Sequence, residues 1–300
     1  MVPAGIEPIR YSMLYAQILL NGLVLGGLYA CIAVGFSLVW GVLNVINILH
    51  GSFVVLGSYI AYFAYVHLGI HPFMSVVLSG GALFVLGYVV QAGLINRVVG
   101  APVLTTLVLT FGLDLLLNNS MIIAFSADYR TVQLAHPLGS TVVGGLVLPL
   151  DRLVAMLLAC VLTVILYFVL VRSSIGRAIV AVRMDREAAA LMGVNVKRIY
   201  AITFGLGALM AGAAGSLLSL IFPISPLNGS EFLGIAFIVC ILGGLGSISG
   251  AIVGGLALGA IQSFGALLIG PQHGLTIAFV LLIILLIFKP TGIMGRRGYE

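Results

Sequence analysis

Thr106, Thr110, Asp114 and Asn118 recur every four residues, so any helix that carries them presents all four on one face. Hydroxyls, a carboxylate and a carboxamide in such a row can hold the charged ends of a small polar solute and line a path for it. They can equally hydrogen-bond a neighbouring helix, with Asp114 protonated. Both readings stay open. Asn44, Asn47 and His50 form a second group, just before an apolar run, and either cap and bend the chain there or gate a path. The third pattern is Asp185-Arg186-Glu187-Ala188-Ala189-Ala190-Leu191-Met192-Gly193. Asp185 is a suitable N-cap, Glu187 suits the positive end of a helix, the alanines with Leu191 and Met192 favour helix, and Gly193 is a natural stop. The expected product is a helix of about two turns. Its apolar tip and basic flanks suit a docking knob for a partner, or a connector lying on anionic lipid.

Other chemistries find no residues to carry them. The chain has two lysines, Lys197 and Lys289, and neither follows a glycine, so there is no G-x-x-x-x-G-K-[ST] phosphate loop and no ATPase site. No Ser/His/Asp or Cys/His arrangement is suggested. There is no His/Cys cluster at metal-ligand spacing and no nucleic-acid module, so neither a metal, a cofactor nor nucleic acid is expected. Cys31, Cys160 and Cys240 all fall within apolar runs, an odd count that reads as inert packing residues.

The elements that must position these residues follow from composition. Of 300 residues 62% are hydrophobic and 7% charged, with a mean hydropathy of +1.27. A soluble surface needs about 25% charged residues, so lipid must solvate most of the exterior. Backbone polar groups in lipid require internal partners, and the long unbroken apolar runs select helices over barrel strands. The fold class is therefore all-α, a polytopic membrane helical bundle. A span needs about 20 apolar residues, which places spans at 14–40, 51–66, 73–95, 103–125, 150–171, 199–222, 232–247, 250–270 and 274–289. The first is long and glycine-rich enough to be broken. The seventh and eighth are divided at Gly243-Gly244-Leu245-Gly246-Ser247, where a turn is easiest. The opening segment lacks the pattern of a cleaved signal peptide, so the first span is expected to be retained.

Charge sets the orientation. The segment 172–198 holds Arg172, Arg177, Arg183, Arg186, Lys197 and Arg198, six of the 13 basic residues. With that segment in the cytoplasm, alternation puts Arg97, Lys289, Arg296 and Arg297 on the same side and leaves Arg10, Arg130 and Arg152 outside. This arrangement has the N-terminus out, the C-terminus in and nine spans. Glycine supplies 39 residues, and small-x₃-small pairs such as Gly22/Gly26, Ala208/Gly212, Ala211/Gly215, Gly250/Gly254 and Gly255/Gly259 permit close helix approach, within one bundle or between subunits. His50-Gly51-Ser52 opens span two from inside, and Asn228-Gly229-Ser230 opens span seven from outside. Opposite sidedness is what inverted repeats of four helices around a central span (4+1+4) would give.

Glu187-Ala188-Ala189 followed by Gly193 resembles the E-A-A-x₃-G loop of bacterial ATP-binding cassette (ABC) importer permeases. Further segments are similar to one branch, the permeases of branched-chain amino acid ABC importers (LivH-like). They are Asn21-Gly22 through Gly35, Asn47-x₂-His50-Gly51, Gly176-Arg177-Ala178 through Gly193-Val194-Asn195, and Gly243-Gly244-Leu245-Gly246-Ser247-x₂-Gly250-Ala251. They fall in family order over nearly the whole chain. Two departures stand out: Ile48 and Leu49 replace Phe and Ala in the His-Gly signature, and no Leu-Pro closes the E-A-A motif. The resemblance implies one permease domain, 1–300, with an ATPase-coupling loop at 172–198. It implies a non-enzymatic transport subunit in the bacterial inner membrane, a second related permease, two cytoplasmic ABC ATPase subunits and a periplasmic or lipid-anchored binding protein. The implied cargo is branched-chain amino acids, with urea, short amides or other small amino acids as the alternative. An autonomous secondary carrier or channel is the rival of another class, and a non-transporting scaffold a third.

Overall fold

The computed structural model describes residues 7–270, 273–289 and 291–294. Arg296 and Arg297, which enter the charge count above, lie outside the described residues, as do the side chains of Glu7, Arg10 and Tyr11.

Eleven α-helices carry the chain: α1 Glu7–Leu43, α2 His50–Leu68, α3 Pro72–Gly93, α4 Val103–Phe125, α5 Leu150–Arg172, α6 Ser174–Met184, α7 Arg186–Leu191, α8 Val196–Leu218, α9 Gly229–Gly243, α10 Ile248–Ile269 and α11 Gly274–Phe288. Among the described residues eight segments are long and apolar enough to cross a bilayer, α9 only together with the turn that precedes it (Pro226–Gly243), and α11 is a shorter apolar ninth. At 1.5 Å per residue its 15 residues reach about 22 Å, so the lipid must thin or its flanks must extend to meet it. The expected break in the first span is absent. Helix α1 runs 37 residues unbroken, because its glycines are packed against other helices and so do not unwind. The turn between α9 and α10 falls where the glycine run placed it, with Gly244 at φ 103° and Gly246 at φ 75°, a conformation that other residues adopt only with strain.

Two elements were not anticipated. The basic segment forms a second helix, α6, before the short α7; Ser173 Oγ caps it by accepting from Gly176 N at 2.9 Å. Between α4 and α5 the chain makes an antiparallel hairpin, β1 Ser140–Val143 and β2 Leu146–Pro149. Its tip is Gly144-Gly145, both with positive φ, as a two-residue turn that follows the strand twist requires.

The halves α1–α4 and α8–α11 pack as inverted counterparts. Helix α1 lies along α10, and its equivalent α8 lies along α3; α2 packs on α3 and α8, as α9 packs on α10 and α1. Two contacts join equivalent parts of the halves directly. Gly35 and Gly207 meet where α1 crosses α8, each placed so that an added Cβ would come within 2.9 Å of the other's carbonyl oxygen. Gly51 and Gly229, from the two sequence signatures, abut backbone to backbone where α2 meets α9. One asymmetry remains: α11 leans on both α9 and α10, whereas α4 does not pack along α3 and instead meets α2 and the turns at 95–97 and 226–228.

Hydrophobic association cannot drive helices together in lipid, so close backbone packing must do it. The small-residue faces serve this within the chain. Gly22 and Gly26 meet Gly259 and Gly255 between α1 and α10, Gly212 and Gly215 meet α3 and α2, and Gly250 and Gly254 meet Gly243.

Candidate functional site

The basic end of the bundle is built by the loop 172–198. Asp185 lies between α6 and α7 in extended conformation (φ −155°) and caps α7: its Oδ1 accepts from Glu187 N at 2.8 Å and from Ala188 N at 3.0 Å. At the other end Gly193 sits at φ 84°, and Val194 N returns to Ala189 O at 3.0 Å. Stopped at both ends, α7 keeps Ala189 buried and turns Leu191 (90% exposed) and Met192 (84%) away from the protein. Arg186, Glu187 and Ala188 are exposed beside them. Leu191 and Met192 thus form an exposed apolar tip next to a basic belt.

The elbow between α6 and α7 walls an open cavity of about 420 Å³, lined also by the end of α1, the α3–α4 connection and Tyr200. Thr106, the first residue of the α4 row, faces this cavity, and Asn44 at φ 52° lies on its rim.

Beyond the cavity, the α4 row turns toward α2 and away from lipid. Thr110 Oγ1 donates to Ile46 O at 2.8 Å. Ser52 Oγ donates to Asp114 Oδ1 at 2.5 Å. Thr106 bonds only its own helix, at Val103 O, 2.8 Å. Asn118 Oδ1 is buried without a partner among the described residues. A charged carboxyl at mid-span would cost about 2.5–3.5 kcal/mol to insert, and in either protonation state a buried carboxyl left without a hydrogen-bond partner costs about 1–3 kcal/mol. No cation near Asp114 is evident in the sequence. The partner is instead Ser52, named in the sequence only as part of the His50-Gly51-Ser52 repeat signature and not as a partner for Asp114; a serine at matching depth in the adjacent span was the available signal.

Asn47 and His50 are buried in the α1–α2 corner. His50 is turned away from the α4 row into α1, with Nε2 3.0 Å from Ile32 O and the ring edge-on to Phe36 at 5.5 Å. Neither polar atom of Asn47, nor Nδ1 of His50, has a partner among the described residues. The structure thus brings Thr110 and Asp114 together with the α1–α2 corner and leaves His50 on its far side.

The opposite end is closed. Arg130 exchanges both backbone hydrogen bonds with Ile224, at 2.9 and 2.7 Å, tying the α4–α5 segment to the α8–α9 link. Its guanidinium donates to Phe125 O at 2.7 Å and lies 5.6 and 5.4 Å from the ring centres of Tyr62 and Phe63, an attraction of about 0.5–1 kcal/mol each at exposed sites. Gln17 of α1 holds the hairpin by its backbone: its Nε2 donates to Val147 O and its Oε1 accepts from Val147 N, both at 2.8 Å. Neither Arg130 nor Gln17 stood out in the sequence, since each acts on main-chain atoms distant along the chain.

Two inverted halves of apolar helices, with a polar row between helices and a capped short helix at one end, make the chain a polytopic membrane bundle. Comparison with known proteins identifies the kind. The family model described as branched-chain amino acid transport system, permease component, matches residues 18–288. The permease protein BraD of a high-affinity branched-chain amino acid transport system in Pseudomonas aeruginosa is 34% identical over 95% of this chain and 97% of its own. Its counterpart LivH of Escherichia coli is 32% identical over 95% and 97%. The fructose import permease FrcC of Rhizobium meliloti is 29% identical over 79% of this chain and 67% of its own. No solved structure matches. The chain belongs to the family of branched-chain amino acid transport permeases, as a multi-pass membrane component of a transport system.

Proposed function

We propose that this chain is the permease subunit of an ABC importer that carries branched-chain amino acids across a bacterial inner membrane. The observation that carries the reading is the family match over 18–288 together with relatives, named for that cargo, that cover the chain nearly end to end. The whole chain acts as one permease domain. Its basic end faces the cytoplasm, the N-terminus out and the C-terminus in. A second related permease completes the membrane unit. Two ATPase subunits hydrolyse ATP and grip the two loops at Leu191, Met192 and the capped turn from Asp185 to Gly193. A binding protein, periplasmic or lipid-anchored, delivers the amino acid to the outer end. Thr106, Thr110, Asp114 and Asn118 contribute polar groups to the path, with Asn47 and His50 at the corner where α1 turns into α2. ATP-driven movement of the loop rocks the halves against each other about the crossings at Gly35/Gly207 and Gly51/Gly229.

The test is reconstitution. The chain is purified from its native membrane by an affinity tag together with whatever accompanies it, placed in liposomes, and given binding protein and radiolabelled L-leucine. Leucine uptake that requires ATP and a co-purified P-loop ATPase is the expected result. Uptake by this chain alone would replace the reading with an autonomous carrier. ATP-dependent uptake of urea, an amide or another solute in place of leucine would keep the class and change the cargo, a possibility given weight by the fructose permease among the relatives.

A further inference from the structure

We infer that the cavity behind the coupling elbow is a cytoplasmic binding site for an aliphatic L-α-amino acid, through which accumulated cargo slows its own import. The inference rests on the cargo proposed above.

The cavity holds both halves of the needed chemistry. Its walls carry two guanidiniums, Arg183 and Arg186, and two carboxylates, Asp185 and Glu187. Among the described residues no ion pair joins these groups to one another, and of the four only Asp185 is engaged in hydrogen bonds, through one oxygen that caps α7. Both guanidiniums lie against glycine backbone: a methyl on Gly246 would come 3.7 Å from Arg183 Nη2, and one on Gly100 4.0 Å from Arg186 Nη1. Of these two glycines Gly100 itself lines the cavity, beside Arg186, and neither guanidinium donates a hydrogen bond among the described residues, so their donors are free to meet an occupant. The same lining includes five branched aliphatic residues, Val42, Val45, Val99, Val103 and Val182. Paired cations and anions beside branched aliphatic groups match a carboxylate, an ammonium and a branched side chain on one small molecule, since planar guanidinium forks suit a carboxylate. About 420 Å³ lies within the usual 300–1,000 Å³ of small-molecule sites.

Position supplies the consequence. One wall is the α6–α7 elbow, the others the end of α1 and the start of α4. An occupant bonded to Arg183 and packed on Val42 and Val103 ties the elbow to the transmembrane helices. Leu191 and Met192 are not part of this cavity's lining, so occupancy leaves the apolar tip of the proposed ATPase contact free while resisting the movement it must transmit.

The experiment reads the site separately from transport. In the full-length chain, Cys160 is changed to alanine and Val103→Cys introduces a thiol on the cavity wall; Cys31 and Cys240 are buried. Inside-out vesicles are labelled with a water-soluble maleimide in the presence of millimolar L-leucine, leucinol or 4-methylpentanoate. L-Leucine is expected to slow labelling several-fold, the other two much less, since each lacks one charge. Adding Arg183→Ala should remove most of the protection. For the complex with its ATPase subunits, leucine on the loop side should lower ATP hydrolysis, and Arg183→Ala should shift the half-inhibiting concentration up about tenfold, the size of one lost charge-assisted hydrogen bond. Equal labelling with and without leucine, or equal protection by leucinol, overturns the site. Protection with no effect on hydrolysis overturns the feedback. Either result can stand beside normal leucine uptake, whereas failure of uptake in the reconstitution above speaks against the cargo and not against the cavity.

Discussion

Gly35→Ala should destabilise the bundle, whereas Gly112→Ala should not. A Cβ on Gly35 would lie 2.8 Å from Gly207 O and 2.8 Å from Met210 Cβ, with His50 Cε1 at 3.4 Å. Ordinary contacts of these atoms begin near 3.2–3.5 Å, so α1 and α8 would have to part by about half an ångström. They cannot do so locally, since Gly207 in turn packs on Val39 and on Gly35 O, and α1 is held along its length by α10. Overpacking of this kind costs about 1–3 kcal/mol. Against it stands a gain of about 1 kcal/mol from replacing glycine by alanine in a helix, leaving a net loss of up to about 2 kcal/mol. Gly112, in α4, has nothing within 4 Å of its would-be Cβ, so only the propensity gain applies and the variant should be equal or more stable. The assay is reversible unfolding in mixed micelles titrated with denaturing detergent, followed by helical circular dichroism, with both variants beside the parent. If Gly35→Ala matched or exceeded Gly112→Ala in stability, the claim that glycine contacts hold the two halves together would be wrong.

Ser52→Ala should cost about 1–3 kcal/mol by leaving the Asp114 carboxyl unpartnered, and adding Asp114→Asn should recover part of it; a double-mutant cycle with no coupling would remove the pairing from the account of α4. Asp185→Ala removes both N–H bonds that start α7, about 1 kcal/mol, and should raise amide hydrogen exchange across 186–191 with exchange in α8 unchanged. Glu187→Lys, or Gly193→Val at φ 84°, should uncouple ATP hydrolysis from leucine uptake in the reconstituted complex; normal uptake by both would count against the coupling role of the loop. Gln17→Ala should speed proteolysis within 140–149 with the membrane helices intact, and an unchanged cleavage rate would show that the hairpin is held by other means.

Helices in lipid were legible because a single requirement, roughly 20 apolar residues, dominates their sequences. The starts and stops of α2, α3, α4 and α5 lie within a few residues of those read from hydropathy alone. Asp185, Gly193 and the Gly243–Ser247 turn were legible for a different reason, since caps and positive-φ turns depend on one residue's local chemistry. Amphipathic α6, which buries Ile179 and Val182 against the bundle, was missed because its 11 residues, broken by Arg177 and Arg183, are too short and too charged to register as a span. The hairpin was announced by Gly144-Gly145 between Thr-Val-Val and Leu-Val-Leu, a turn signal easily passed over in a sequence scanned for long apolar runs. For the site, the α4 row was visible from its period, but the direction it faces depends on where α2 lies. Ser52, Gln17 and Arg130 meet their partners 62, 130 and 94 positions away, and no local pattern carries such a contact.

The hairpin is fastened to α1 through an amide that reads only main chain. Gln17 would make the same two bonds with any non-proline residue at position 147, so the clamp places no demand on the side chains of the hairpin it holds. Outside the Gly144-Gly145 turn, mutation can therefore rewrite the exposed side chains of the two strands while their placement stays fixed. A lineage that acquires a new partner on that side of the membrane can adapt there without re-evolving the bundle beneath.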